Sequence, residues 1–235
     1  MTNIPVWQYN ESKHPGEDFN VEARVYDERQ LKTRDVLGEI RESLGLLNLQ
    51  PDQTVLEMGA GTGEFAIAAA GHCSKVFAVD LSPEMLKIAE AKAQIRGINN
   101  IEFIQAGFLT YEHKEGPVDV VVSQFSLHYL PDFWKQIALL RLLKIMKNGA
   151  RLLLEDTAYA FNIANYEELF NQGTSYVINT MGKNDAAAII SHIRDEYCTI
   201  DWIMEGLIRR AGFTIERSDY KKRGMHTTYL CTKVA

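Results

Sequence analysis

The sequence predicts an α/β fold: a doubly wound, seven-stranded sheet, mostly parallel with an antiparallel last strand, and a helical insertion after the fifth strand. Three observations carry that prediction. Short apolar runs alternate in order with helix-length segments, the pattern of parallel strands joined by crossover helices. A turn with glycine at every second position, Gly59-Ala60-Gly61-Thr62-Gly63, directly follows the first apolar run. The last two runs, FTIERSDY and MHTTYLCT, are separated only by the basic turn KKRG, close enough to pair antiparallel.

Each element has its own local reason. Residues 1–29 mix aromatic, charged and turn-forming types without a period, so they read as an irregular arm with a short helix near Phe19 to Tyr26. Leu37, Ile40, Leu44 and Leu47 then step by three, four and three, one apolar stripe on a helix. Pro51 and Asp52 stop that helix and lead into the first strand, TVLEM. After the glycine turn, EFAIAAAGH is an alanine-rich helix and KVFAVD the second strand. Ser82-Pro83-Glu84 starts the next helix: Ser82 caps free amides, Pro83 suits the first helical position, and Glu84 complements the positive helix end. IEFIQ, VDVVV and ARLLLED are the third to fifth strands, with PDFWKQIALLRLLKIMKNG as the helix before the fifth.

The rhythm breaks between Glu155 and Phe213, a gap much longer than one crossover needs. Two helical segments there, NYEELFNQGTSYVINT and DAAAIISHIRDEYC, flank the loop MGKND and precede a returning helix, DWIMEGLIRRAG. The expected organisation is a single domain over 1–235: arm 1–29, core 30–155, helical cap insertion 156–198, and final helix and strands 199–235.

Composition bounds the partners. The chain has 235 residues, 46% of them hydrophobic, enough to bury one substantial core. Its net charge of -6 gives no basic field for a phosphate backbone, so nucleic acid is not a favoured partner. Cys73, Cys198 and Cys231 are widely spaced without a C-x-x-C pair, which argues against a disulfide framework or a zinc knuckle. Neither a signal-peptide core nor a run near the roughly 18 apolar residues of a membrane span occurs, so a cytoplasmic protein without membrane association is expected.

Bare backbone after the first strand brings a ligand to the carboxyl edge of the sheet. A triphosphate would want G-x-x-x-x-G-K-[ST], which is absent. A dinucleotide would want glycine where this chain has Glu64, and a carboxylate about 4 Å from a pyrophosphate costs about 4 kcal/mol at an effective dielectric of 20. The third class, a cationic sulfonium nucleoside, suits an acidic turn. Here the sequence resembles the class I S-adenosylmethionine-dependent methyltransferases, a Rossmann-like superfamily with E/D-x-G-x-G-x-G after the first strand. The resemblance rests on Glu57-Met58-Gly59-Ala60-Gly61-Thr62-Gly63, on VFAVDLSPEML, and on DVVVSQFSLHYLPD, and spans roughly residues 36–155.

That resemblance implies roles. Gly59, Ala60, Gly61 and Gly63 would lie against the methionine and ribose of S-adenosylmethionine, Glu57 would hold its ammonium end, and Asp80 would accept from both ribose hydroxyls. Leu81 would cover the adenine. Where family members carry an acidic residue after the third strand, this chain has Gly107 and Phe108, so backbone or water there would serve adenine. Ser123 would offer its carbonyl to the ammonium group, with Gln124 and Phe125 nearby, and His128 is the candidate general base.

The superfamily's acidic magnesium ligands and its [DN]-P-P-[YF] motif are both missing from SQFSLH, which implies metal-independent transfer, mainly by positioning, to an O, N or other nucleophile of a small molecule. Candidate acceptor-lining groups are Trp7, Tyr9, Phe19 and Tyr26 in the arm, and Tyr159, Tyr166, Tyr176, His192, Arg194, Tyr197 and Trp202 beyond the fifth strand. A cofactor-binding regulatory module without turnover, an NAD(P) oxidoreductase, a synthase using decarboxylated cofactor, and a homodimeric assembly stay open as alternatives.

Overall fold

The computed structural model describes residues 5–234 apart from position 17, so the first four residues and Glu17 of the expected arm, with Ala235, lie outside the described residues. Five strands follow the predicted order: β1 (Thr54–Met58), β2 (Lys75–Asp80), β3 (Ile101–Gln105), β4 (Val118–Gln124) and β5 (Met146–Asp156). β8 (Phe213–Lys221) and β9 (His226–Lys233) complete a seven-stranded sheet in the order β3-β2-β1-β4-β5-β9-β8. Pairing is parallel from β3 through β5, while β9 runs antiparallel to both β5 and β8. β1 is third in that order, beside β4, so the glycine turn at its carboxyl end opens where the strand order reverses.

Both faces are covered, which is why the strands read as continuous apolar runs. Leu56 and Val121 face a layer containing α5 (Asp132–Ile145) and α8 (Asp201–Ala211), while Val55, Val120, Val122 and Leu153 face α2 (Val36–Leu47) and α3 (Glu64–Ala69). α4 (Pro83–Ile95) begins as predicted: the Met85 N–H donates to Ser82 Oγ at 3.2 Å, with Pro83 in the first turn.

Four local expectations change. The arm's helix is not a short piece but α1 (Phe19–Thr33), capped by Asp18 and packed on α4. Its sequence is polar nearly all round, with Ala23 as its buried contact, so periodicity could not find it. In α2 the buried positions are Ile40, Ser43 and Leu47, while Leu37 points out at 63% exposure. β5 starts at Met146 rather than Ala150, because Met146 already pairs with Val118, the register then shifting so that extra residues of β5 lie between Met146 and Arg151. Beyond β5, a two-residue strand β6 (Ala158–Tyr159) pairs in parallel with β7 (Thr199–Ile200).

That small sheet closes the base of the insertion, whose helices are α6 (Tyr166–Met181) and α7 (Lys183–Asp195). The wholly buried Lys135 fixes the return of the chain, donating to Asp132 Oδ1 at 2.7 Å and to the Tyr197 carbonyl. No helix among the described residues is long and apolar enough to cross a membrane.

Leu153 is fully buried on the central layer. Leu153→Ala should lower stability by about 2–5 kcal/mol, read as a lower urea midpoint at unchanged slope.

Candidate active site

A cavity of about 500 Å³ opens at the carboxyl edge of the sheet, directly over the glycine turn. The ends of β1 to β4 form its floor, and the arm with the start of α1 forms its roof. That volume is in the usual range for a small-molecule site.

The turn is held by one carboxylate. Asp80 Oδ2 accepts from the Gly61 N–H at 2.8 Å, and its Oδ1 accepts from the Ser82 N–H at 2.8 Å. Burial pushes the Asp80 carboxyl up, and backbone bonds from Ser82, Gly61 and Leu81 only partly offset this. Glu57 is 4% exposed, and burial, reinforced by the nearby Asp80 charge, holds its carboxyl well above the ordinary range. Its Oε2 has no hydrogen-bond partner, a costly state that a cationic ligand would relieve.

The glycines divide their work. A Cβ on Gly63 would come within 2.7 Å of the Ala89 Cβ, so this glycine lets α4 pack on the turn. A Cβ on Gly61 would meet nothing within 4 Å, so its bare face belongs to the cavity.

Gly107 is explained by the arm. A Cβ there would lie 2.5 Å from Glu11 Oε1, because Glu11 lays its carboxylate over this position. The Leu109 N–H donates to Glu11 Oε2 at 2.9 Å. Burial raises Glu11 to about 7, against the lowering effect of the Leu109 and Phe108 N–H groups. No local spacing signals this pairing, which spans 98 positions.

Of the predicted cofactor residues, Gly59, Gly61, Asp80, Leu81, Gly107, Phe108, Gln124 and Phe125 line the cavity together. Phe125 does so with φ of 51°, a strained turn that swings the chain out of β4, and the Arg34 guanidinium lies 4.1 Å above its ring. Glu57, Ala60, Gly63 and Ser123 stand behind that wall. Ser123 is fully buried, its hydroxyl 3.0 Å from that of Ser126, which donates to the Met58 carbonyl at 3.1 Å. Residues that sequence reading missed are Glu11, His14, Ser126 and Tyr129, all on the wall.

Among the acceptor candidates, Phe19 and Tyr26 line the cavity and none of the seven beyond the fifth strand does. Tyr159 is buried against Phe161 and Phe170, Tyr166, Tyr176 and Trp202 are exposed, and Tyr197 meets Tyr9 edge-on at 6.2 Å. Trp7 is exposed and Arg194 pairs with Asp195. The aromatic wall is instead Phe19 and His14 around Tyr129, at centroid distances of 5.5 and 4.5 Å.

His128 is 3% exposed and lies behind Tyr129, ring centroids 4.3 Å apart. Its Nδ1 is 2.5 Å from Asp156 Oδ1, and its backbone N–H donates to Asp156 Oδ2 at 3.1 Å. Burial opposes its charged form, but Asp156 and Glu196 outweigh that and raise it to about 9.

A doubly wound sheet with an acidic glycine turn at its switch point defines a nucleoside-binding α/β protein, and comparison with known proteins makes that specific. A family model described as a methyltransferase domain matches residues 55–149. A demethylmenaquinone methyltransferase of Lactococcus lactis is 27% identical over 178 residues, 73% of this chain and 69% of that one. An uncharacterized methyltransferase of Geobacillus is 25% identical over 203 residues, 85% of this chain and 86% of its own. The fold also matches a magnesium protoporphyrin IX methyltransferase of Synechocystis solved with S-adenosylmethionine, at TM-score 0.56 and 16% identity over 95% of this chain and 88% of that one. Together these matches support the class I S-adenosylmethionine-dependent methyltransferase superfamily, with the methyltransferase domain itself matched over residues 55–149.

Glu11 sets a pH dependence with a definite sign. Its folded value near 7 exceeds the ordinary 4.5, so the folded state binds the extra proton between those values. Its contribution is therefore present below about pH 4.5 and is lost as pH rises toward 7, by about 3 kcal/mol in total. Glu11→Gln, neutral throughout, should flatten that part of the stability profile in urea melts at stepped pH.

Proposed function

We propose that this protein holds S-adenosylmethionine in the cavity and transfers its methyl group to a nucleophile of a flat, largely apolar small molecule. The observation that carries the reading is the sign of the site. Glu11, Asp18 and Asp80 line the cavity, Glu57 lies just behind it with an unpartnered oxygen, and among the described residues no Lys or Arg lines it. Such a field favours a sulfonium and an ammonium group and opposes a pyrophosphate.

When bound, the cofactor supplies a methyl group on an electrophilic sulfonium carbon. The chain's residues do the holding. Asp80 accepts from the ribose hydroxyls while keeping its two backbone bonds. Glu57 faces the ammonium end, which the Ser123 carbonyl also serves, with Gln124 and Phe125 alongside. Gly59 and Gly61 keep the cavity side of the turn bare for close approach, Ala60 and Gly63 support the turn from behind, and Leu81 and Phe108 cover the adenine faces. Glu11 brings from the arm the carboxylate that Gly107 lacks.

The acceptor sits against Phe19 and Tyr129, aromatic surfaces suited to a planar ring. The Lactococcus relative, named for demethylmenaquinone, is consistent with an acceptor of that kind. Alignment of acceptor with donor in a closed site can supply about 7–11 kcal/mol of the barrier reduction, so positioning suffices. In this reading His128 acts through Tyr129, whose ring it backs, rather than by touching the acceptor.

S-adenosylhomocysteine should raise the melting temperature and NAD should leave it unchanged. Asp80→Asn should weaken S-adenosylhomocysteine roughly 10- to 100-fold by calorimetry, the loss of charged hydrogen bonds worth about 1.5–3 kcal/mol. Tyr129→Ala and Phe19→Ala should raise the acceptor KM with cofactor affinity retained. Cofactor binding without methylated product across a panel of phenols, quinols and amines would favour a regulatory module instead.

A further inference from the structure

Behind Tyr129, on the side away from the cavity, three metal-ligating side chains converge: His128 from the turn after β4, and His192 and Glu196 from the end of α7 and the residue following it. Their ligand atoms all lie within 4.8 Å of one another. We propose that His128 Nε2, His192 Nδ1 and a Glu196 carboxylate oxygen form a binding site for a divalent transition-metal ion of the zinc class, which staples the helical insertion to the sheet.

The geometry is close to what an ion requires. Donor atoms around a tetrahedral ion bound at 2.0–2.1 Å are about 3.3 Å apart. His128 Nε2 lies 3.3 Å from Glu196 Oε2. It is also buried without a hydrogen bond, so an aimed lone pair or proton there has no aligned partner. His192 Nδ1 is hydrogen-bonded to the same Glu196 oxygen, and an ion would replace that shared proton.

The surrounding shell is already built. Each ring's other nitrogen is held: His128 Nδ1 by Asp156 at 2.5 Å, and His192 Nε2 by Thr157 Oγ1 at 3.1 Å. This carboxylate or hydroxyl behind a ligating imidazole fixes ring orientation, as second partners do at known metal sites. Two carboxylates, Asp156 and Glu196, face the two rings, so a dication replacing the ring protons leaves the net charge of the cluster unchanged. Two imidazoles select a zinc-like ion over magnesium or calcium, which prefer oxygen alone.

The placement indicates the role. His128 and Glu196 side chains are 4% and 5% exposed, while His192 at 28% gives the ion a way in. Tyr129 stands between this cluster and the cavity, so the ion acts on the fold, not on the reacting atoms. The arm reaches it too: a Cβ on Gly16 would come within 2.7 Å of Glu196 Oε1.

The test is zinc titration of the chelator-treated full-length protein by calorimetry, with cobalt(II) absorption as the spectroscopic readout. One equivalent of zinc should bind, cobalt should give the visible d–d bands of a low-coordinate site, and zinc should raise the melting temperature followed by circular dichroism. His192→Gln and Glu196→Gln should each weaken zinc more than the roughly 10- to 100-fold typical of losing a second partner, and Cys198→Ser should leave it unchanged. Failure of the wild type to bind zinc, or binding that both ligand variants leave intact, would overturn the site. S-adenosylhomocysteine affinity measured on the same samples reads the cofactor site separately, and since neither ligand variant lines that cavity, its loss in the wild type would count against the methyltransferase reading alone.

Discussion

The active-site edge is organised around the Asp80 carboxylate. One oxygen receives the Gly61 amide of the glycine turn and the other receives the Ser82 amide at the start of α4. Ser82 in turn caps α4 through its hydroxyl, which also donates to Asn20 Oδ1 on α1 at 2.9 Å. One side chain at the end of β2 thus fixes the register of the turn, the following helix and, through Ser82, the roof. A hydrogen bond to a charged group is worth about 1.5–3 kcal/mol, so this pair outweighs the local preferences of the segments it joins.

Burial of negative charge is the cost of that arrangement. Burial and then the Asp80 charge raise the proton affinity of Glu57, and among the described residues its Oε2 meets no donor. A fold under ordinary selection for stability would bury an apolar residue there. In the proposed function that acid meets a cation, and the same argument covers Glu11, held over Gly107 by backbone amides despite desolvation.

Much of this was legible in the sequence, for physical reasons. Strands buried on both faces are continuous apolar runs, so TVLEM, KVFAVD and IEFIQ map directly onto β1, β2 and β3. The glycine turn and Asp80 could be paired because a single crossover fixes their distance. Other features depended on contacts that no local pattern encodes. Glu11 meets Leu109 across 98 positions, and only the folded arm explains why Gly107 must lack a side chain. α1 is polar on nearly every face and owes its order to packing on α4. The insertion, rich in aromatic residues, suggested a roof, yet those rings pack among themselves or point outward, and the arm roofs the cavity. His192 and Glu196 carry helical spacing, but His128 joins them only through the tertiary fold.

The two-residue strands β6 and β7 place the start and finish of the insertion side by side, Ala158 against Thr199 and Tyr159 against Ile200. Adjacent strands are about 4.8 Å apart, so whatever chain runs between these points begins and ends at the same doorstep. Closing a longer excursion from such a doorstep adds only about 0.6 kcal/mol per doubling of length. The segment is thereby a graft point: helices can be exchanged, extended or trimmed during divergence while the seven-stranded frame keeps its register.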